Sequence, residues 1–115
     1  MGANHAGEIE FLCSLCQPNY GIITNIGKAN LEGFGSIQGV ITAKSELFRY
    51  LAKHEGIAFV NDDDLLLIAL TENIKTIKYG TEKRSDCNAI LVKENPYLEL
   101  NWEKDGKEFL INTNL

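Results

Sequence analysis

The apolar positions of this chain fall in short clusters, and their spacing changes from one cluster to the next. Ile9, Leu12, Cys13 and Cys16 lie at i, i+3, i+4 and i+7, the buried stripe of a short helix. Glu8 puts an acid in its first turn, where the helix dipole favours it, and Pro18 stops it, because a residue before proline leaves the α region. Tyr20 to Thr24, with its β-branched run Ile22-Ile23-Thr24, reads as a buried strand. A polar, glycine-bearing loop follows from Asn25 to Gly35. Ser36 then caps a long helix with apolar Ile37, Val40, Ile41, Leu47, Phe48 and Leu51, ending near His54-Glu55-Gly56 with Gly56 as its C-cap. Lys44 stands at i+7 of that series, where an apolar residue would complete the face.

Ile57 to Val60 is a second apolar strand, running into Asn61-Asp62-Asp63-Asp64, which can cap a helix through Leu65 to Leu70. Ile74 to Tyr79 is a third strand, closed by Gly80. Strands that are apolar throughout and alternate with helices indicate a parallel sheet covered on both faces. After Gly80 the pattern changes. Thr81 to Asn88 reads as a loop, followed by short strands over Ala89 to Val92, Tyr97 to Trp102 and Lys107 to Asn112. Leu98, Leu100 and Trp102 alternate with polar residues, and Asp105-Gly106 is a hairpin signal. The expected fold class is therefore α/β: a parallel sheet flanked by helices over residues 1–80, with a small antiparallel three-stranded sheet over 81–115.

A length of 115 residues allows one domain or part of one. Net charge is −5 with no basic block, which argues against nucleic-acid binding. No apolar run approaches the roughly 20 residues of a membrane span, and no signal-peptide core opens the chain, so no membrane insertion and a cytoplasmic location are expected. Three cysteines fit a reducing compartment, and core packing is the better reading of the Cys13/Cys16 pair than a metal or redox site. Both ends read as cut. Met1 to His5 resembles a ligand loop with no strand before it, and the last residues are strand-like.

A lysine on an apolar helix face has three readings: it snorkels to the surface, forms a buried ion pair, or is used chemically. Asn25, Asn30 and Glu32 in the preceding loop lie within reach of a strand's carboxyl end and add weight to the third. A desolvated lysine is more often the neutral amine, which can add carbon dioxide to become a carbamate, a carboxylate suited to magnesium. For Asp62 to Asp64 the alternative to a site is helix capping.

Three stretches carry a resemblance: Met1-Gly-Ala-Asn-His-Ala-Gly-Glu-Ile9, Ile23-Thr-Asn-Ile-Gly-Lys-Ala-Asn-Leu-Glu-Gly-Phe-Gly-Ser36, and Ala43-Lys44-Ser45-Glu46. Together with Val60-Asn-Asp-Asp63 and the small antiparallel sheet, they closely resemble the Mur ligases, over part of that family's central ATP-binding domain. The resemblance implies an ATP-dependent amide ligase of peptidoglycan synthesis that uses magnesium (Mg2+) and proceeds through an acyl phosphate. Its implied substrates are UDP-N-acetylmuramoyl-tripeptide and D-alanyl-D-alanine, and the parent enzyme is expected to be a monomer.

Residue by residue, Lys44 matches the family's carbamylated, magnesium-holding lysine. Asn30 stands where the family has a histidine metal ligand, so its amide oxygen would have to serve in place of an imidazole. Asn4 and His5 match a loop near the muramoyl substrate, with Asn25 and Glu32 as further substrate contacts, and Asn61 and Asp62 match a polar strand end near the nucleotide. The family's phosphate-cradling G-K-[ST] loop does not occur here, so the 115-residue chain alone is expected to be inactive. A non-catalytic domain that binds a partner or a muramoyl precursor is the alternative reading.

Overall fold

The computed structural model describes residues 1–27, 35–94 and 97–113. Helix α1 spans Glu8–Cys16 and strand β1 Tyr20–Ile22. Helices α2 (Ile37–Lys44) and α3 (Glu46–Lys53) follow, then β2 (Ile57–Asn61), the short α4 (Leu65–Ala69) and β3 (Lys75–Gly80). Strands β4 (Cys87–Lys93), β5 (Glu99–Lys104) and β6 (Lys107–Asn112) complete the chain. All six strands lie in one sheet in the order β1-β2-β3-β4-β5-β6. The first four are parallel, and β4-β5-β6 run antiparallel.

The parallel and antiparallel parts, expected as two sheets, are thus joined. The joint is short: β3 and β4 pair only at Tyr79↔Cys87 and Gly80↔Asn88. Further down β3, the Asp86 carboxylate stands in for a neighbouring strand by accepting the Lys78 N–H at 2.7 Å. The last hairpin turns at Asp105 and Gly106, both with positive φ (52° and 72°), as a two-residue primed turn needs.

The core lies on one face of the sheet. Ala58 and Val60 point into it from β2 and meet Phe48 and Leu51 of α3 and Leu67 of α4, each at most 1% exposed. The opposite face carries Tyr20 stacked on Phe59, with Ile22 and Ile77 in the same cross-strand row. Among the described residues no helix covers it, and Tyr20 and Ile22 are 60% and 48% exposed, so the expected cover on both faces is found on one face of the described residues. Helix α1 packs on α3 and α2 rather than on the sheet. No helix of the described residues is long and apolar enough to cross a membrane.

The cysteine stripe is shorter than its spacing suggested. Ile9 and Cys13 are buried, whereas Cys16, the last residue of α1, is exposed. Burial first, then the neighbouring Cys16 thiol and the Glu46 and Glu10 carboxylates, pushes the Cys13 thiol's pKa up, so it stays protonated and unreactive.

Candidate functional site

The chain leaves β1 through Ile23, Thr24 and Asn25, at the carboxyl end of a parallel strand, where ligands of open α/β sheets bind. Lys44 reaches the same place from the last position of α2. The long helix expected over this stretch is broken immediately after it. Ser45 sends both its N–H (2.9 Å) and its hydroxyl (2.5 Å) to the Ile41 carbonyl, a back-bond that disturbs the helical turn, and α3 restarts at Glu46. Lys44 is half-buried, and its Nζ donates to the Asn25 carbonyl at 3.0 Å. Among the described residues no carboxylate lies within ion-pair distance of it, which leaves a lysine tied to backbone at the rim of a cleft. That cleft encloses about 440 Å³ and is lined by Met1, Ala3, Ile23, Thr24, Asn25 and Lys44, among others.

Asn4 and His5 sit beside this cleft, at the start of α1, and are not among its lining residues. The Glu8 carboxylate accepts the backbone N–H of Asn4 at 2.7 Å and of His5 at 3.2 Å. Those two amides, the Asn4 one foremost, hold the Glu8 pKa below the usual carboxylate value, with help from the His5 ring. Glu8 therefore does more than complement a dipole: it folds the loop back onto the helix it precedes.

The acidic run after β2 divides its work. Asn61 Oδ1 accepts the Asp63 N–H at 3.0 Å, and Asp64 caps α4 by accepting from Leu66 and Leu67, as helix capping requires. Asp63 accepts from the Thr81 backbone at 2.9 Å and from its hydroxyl at 3.2 Å. Asp62 is 4% exposed and faces Lys78 Nζ at 3.3 Å, Arg84 Nε at 3.2 Å and the Ser85 hydroxyl at 3.2 Å. Burial alone would raise its pKa. The bonds from Lys78 and Ser85 and the charges of Lys78 and Arg84 outweigh that and hold it below the ordinary value.

The structure thus brings Lys44 and Asn25 into contact, leaves Asn4 and His5 just past the Met1–Ala3 part of the cleft lining, turns Asn61 onto the Asp63 amide, and ties Asp62 into a separate network joining β2, β3 and the loop after β3. Asn30 and Glu32 lie outside the described residues. Among the described residues no three His, Cys, Asp or Glu side chains gather as a metal site. Sequence reading overlooked Glu46 as a structural acid, buried at 5% exposure with both oxygens on the first turn of α1. The signal was present: Val40, Ala43 and Glu46 fall at i, i+3 and i+6 of one buried stripe.

The family model for the Mur ligase middle domain matches residues 1–115. A UDP-N-acetylmuramoyl-tripeptide–D-alanyl-D-alanine ligase from Haemophilus influenzae is 51% identical over 61 residues, which is 53% of this chain and 13% of that protein. Two solved structures share the fold over 97% of this chain. MurF from Acinetobacter baumannii does so at TM-score 0.77 and 25% identity, and MurF ligase from Thermotoga maritima in complex with ADP at 0.80 and 24%. The chain corresponds to 25% and 26% of those two proteins, so it spans about a quarter of their length. With a family model matched from its first residue to its last, this chain belongs to the Mur ligase family.

Proposed function

We propose that this chain is part of the central domain of an ATP-dependent ligase that joins D-alanyl-D-alanine to UDP-N-acetylmuramoyl-tripeptide. The observation that carries the reading is Lys44 at the carboxyl end of β1, half-buried at the rim of a cleft and tethered to the Asn25 carbonyl at 3.0 Å. The relatives' name supplies the substrates, and the location of the cleft agrees with where such a sheet binds ligands.

In this reading a carboxylate oxygen of the tripeptide attacks the γ-phosphorus of ATP and ADP leaves, giving an acyl phosphate. The D-alanyl-D-alanine amine then attacks the acyl carbon, loses a proton, and phosphate departs as the amide forms. A magnesium ion bound there would neutralise charge on the transferring phosphoryl group. Toward that ion the chain's own contribution is Lys44 as its carbamate, one carboxylate donor, with Asn30 the second candidate. The Asn25 carbonyl fixes the lysine's end at the rim, and the Asn4–His5 loop, held by Glu8, borders the place where the muramoyl substrate would lie. Asn61 and Asp62 have a supporting part, setting the ends of β2 and β3.

The test uses the whole polypeptide that carries this segment. ADP release that requires ATP, the UDP-muramoyl tripeptide and D-alanyl-D-alanine together is the expected result. Release independent of D-alanyl-D-alanine, or none with any muramoyl peptide, would remove the reading. Labelled bicarbonate should add a carbamate carbon signal to the wild type and not to Lys44→Ala.

A further inference from the structure

A helix begins with backbone N–H groups that have no partner inside the helix, and the usual remedy is a polar side chain at the N-cap. Helix α1 has none: its N-cap is Gly7, at φ 88°, with no side chain to offer. The remedy comes instead from α3. Glu46 Oε1 accepts the Gly7 N–H at 2.6 Å and Oε2 accepts the Glu10 N–H at 3.0 Å. The carboxylate is 5% exposed, and its one cationic neighbour among the described residues, Arg49, is 4.0 Å away with a side chain 57% exposed. The amides of α1 are therefore what makes burial of this charge tolerable.

At φ 88° a residue with a side chain is strained, so position 7 has no ordinary local cap and the acceptor comes from another helix. What gives the arrangement its meaning is where that acid stands. Glu46 follows Lys44 by two positions, across the break at Ser45. At the other end of the same first turn of α1, Glu8 grips the amides of Asn4 and His5. A continuous path of short hydrogen bonds thus runs from the Asn4–His5 loop through Glu8 and α1 to Glu46, and from there by two residues of chain to Lys44 and the Asn25 carbonyl.

We propose that Glu46 is a positioning residue: it clamps the N-terminus of α1, and with it the Asn4–His5 loop, at a fixed distance from Lys44. The activity part of this proposal rests on the ligase reading above; the clamp itself does not. Glu46→Gln is the informative variant, because an amide has one acceptor oxygen for two N–H groups and turns its own NH2 toward the second.

In the whole polypeptide, hydrogen exchange in the segment 4–11 should speed up by about tenfold or more in Glu46→Gln, while β2 amides keep their wild-type protection. Steady-state kinetics should show KM for the UDP-muramoyl tripeptide raised about tenfold, with KM for ATP within about twofold. A general loss of stability would expose β2 and disturb both substrates alike, and that outcome would overturn the proposal. Unchanged exchange at 4–11 would overturn it as well. A wild type with no ligase activity would instead sink the ligase reading, and the exchange result alone would then decide the clamp.

Discussion

Asp62 keeps a carboxylate at 4% exposure between two cations that differ in how much solvent they see, Lys78 with its side chain 40% exposed and Arg84 with 67%. Solvent screens both, so each pair is worth less than a fully buried one. The acceptor itself matters more: without it the Ser85 hydroxyl and the two cations lose a common partner. Asp62→Asn is expected to lower the unfolding free energy by about 1–3 kcal/mol near neutral pH, measured by urea titration. The pH dependence follows from the sign of the shift. The folded pKa is depressed, so the stabilisation is fully present above the ordinary value of 3.8 and fades as pH falls through the lower, folded one. The gap between wild type and variant should therefore close only in acid. None of this was legible in the sequence. Asp62 read as a capping or site residue because its neighbours in sequence are acids, and its partners lie 16 to 23 positions away on β3 and the following loop.

The end of α3 separates what a sequence shows of an element from what it hides. A helix stop near Gly56 was legible, but the residue that turns the chain is Glu55, at φ 56°, while the Gly56 N–H bonds back to the Leu51 carbonyl at 2.8 Å. Gly56 is required for space. A Cβ there would lie 2.6 Å from Leu51 Cδ2 and 3.1 Å from the Asn19 carbonyl oxygen, and Leu51 is fully buried. Gly56→Ala should cost about 1–3 kcal/mol, read from thermal or urea unfolding, by displacing the closing turn where β1 and β2 begin to pair. The strands and the Asp105-Gly106 hairpin were readable because their signals, β-branched runs and turn residues, are local. The break at Ser45 was not, since serine inside an amphipathic run looks like any polar residue until its hydroxyl finds the Ile41 carbonyl.

At the scale of the molecule, the one-sided core and the position of Lys44 belong together. Helices α3 and α4 pack on the Ala58–Val60 face, and Lys44, the last residue of α2, is half-buried with its Nζ on the Asn25 carbonyl rather than in that core. A lysine at i+7 of an apolar stripe looked enclosed; in three dimensions Val40 before it and Phe48 and Leu51 after it are buried, while Lys44 itself is only half-buried. The candidate site was legible as a set of residue types, and Lys44 with Asn25 do come together. The separation of the Asp62 network from the cleft was not, because it depends on sheet order and on where each strand ends.

The measurement that bears most directly on the proposed role of this cleft is ligation by Lys44→Ala in the whole polypeptide, with unfolding followed on the same sample. Lys44 donates only to a carbonyl at the rim among the described residues, so its loss should leave the unfolding midpoint nearly unchanged. Amide formation between D-alanyl-D-alanine and the muramoyl tripeptide should fall by about 100-fold or more. A folded Lys44→Ala protein that ligates at the wild-type rate would contradict the assignment of Lys44 to the chemistry.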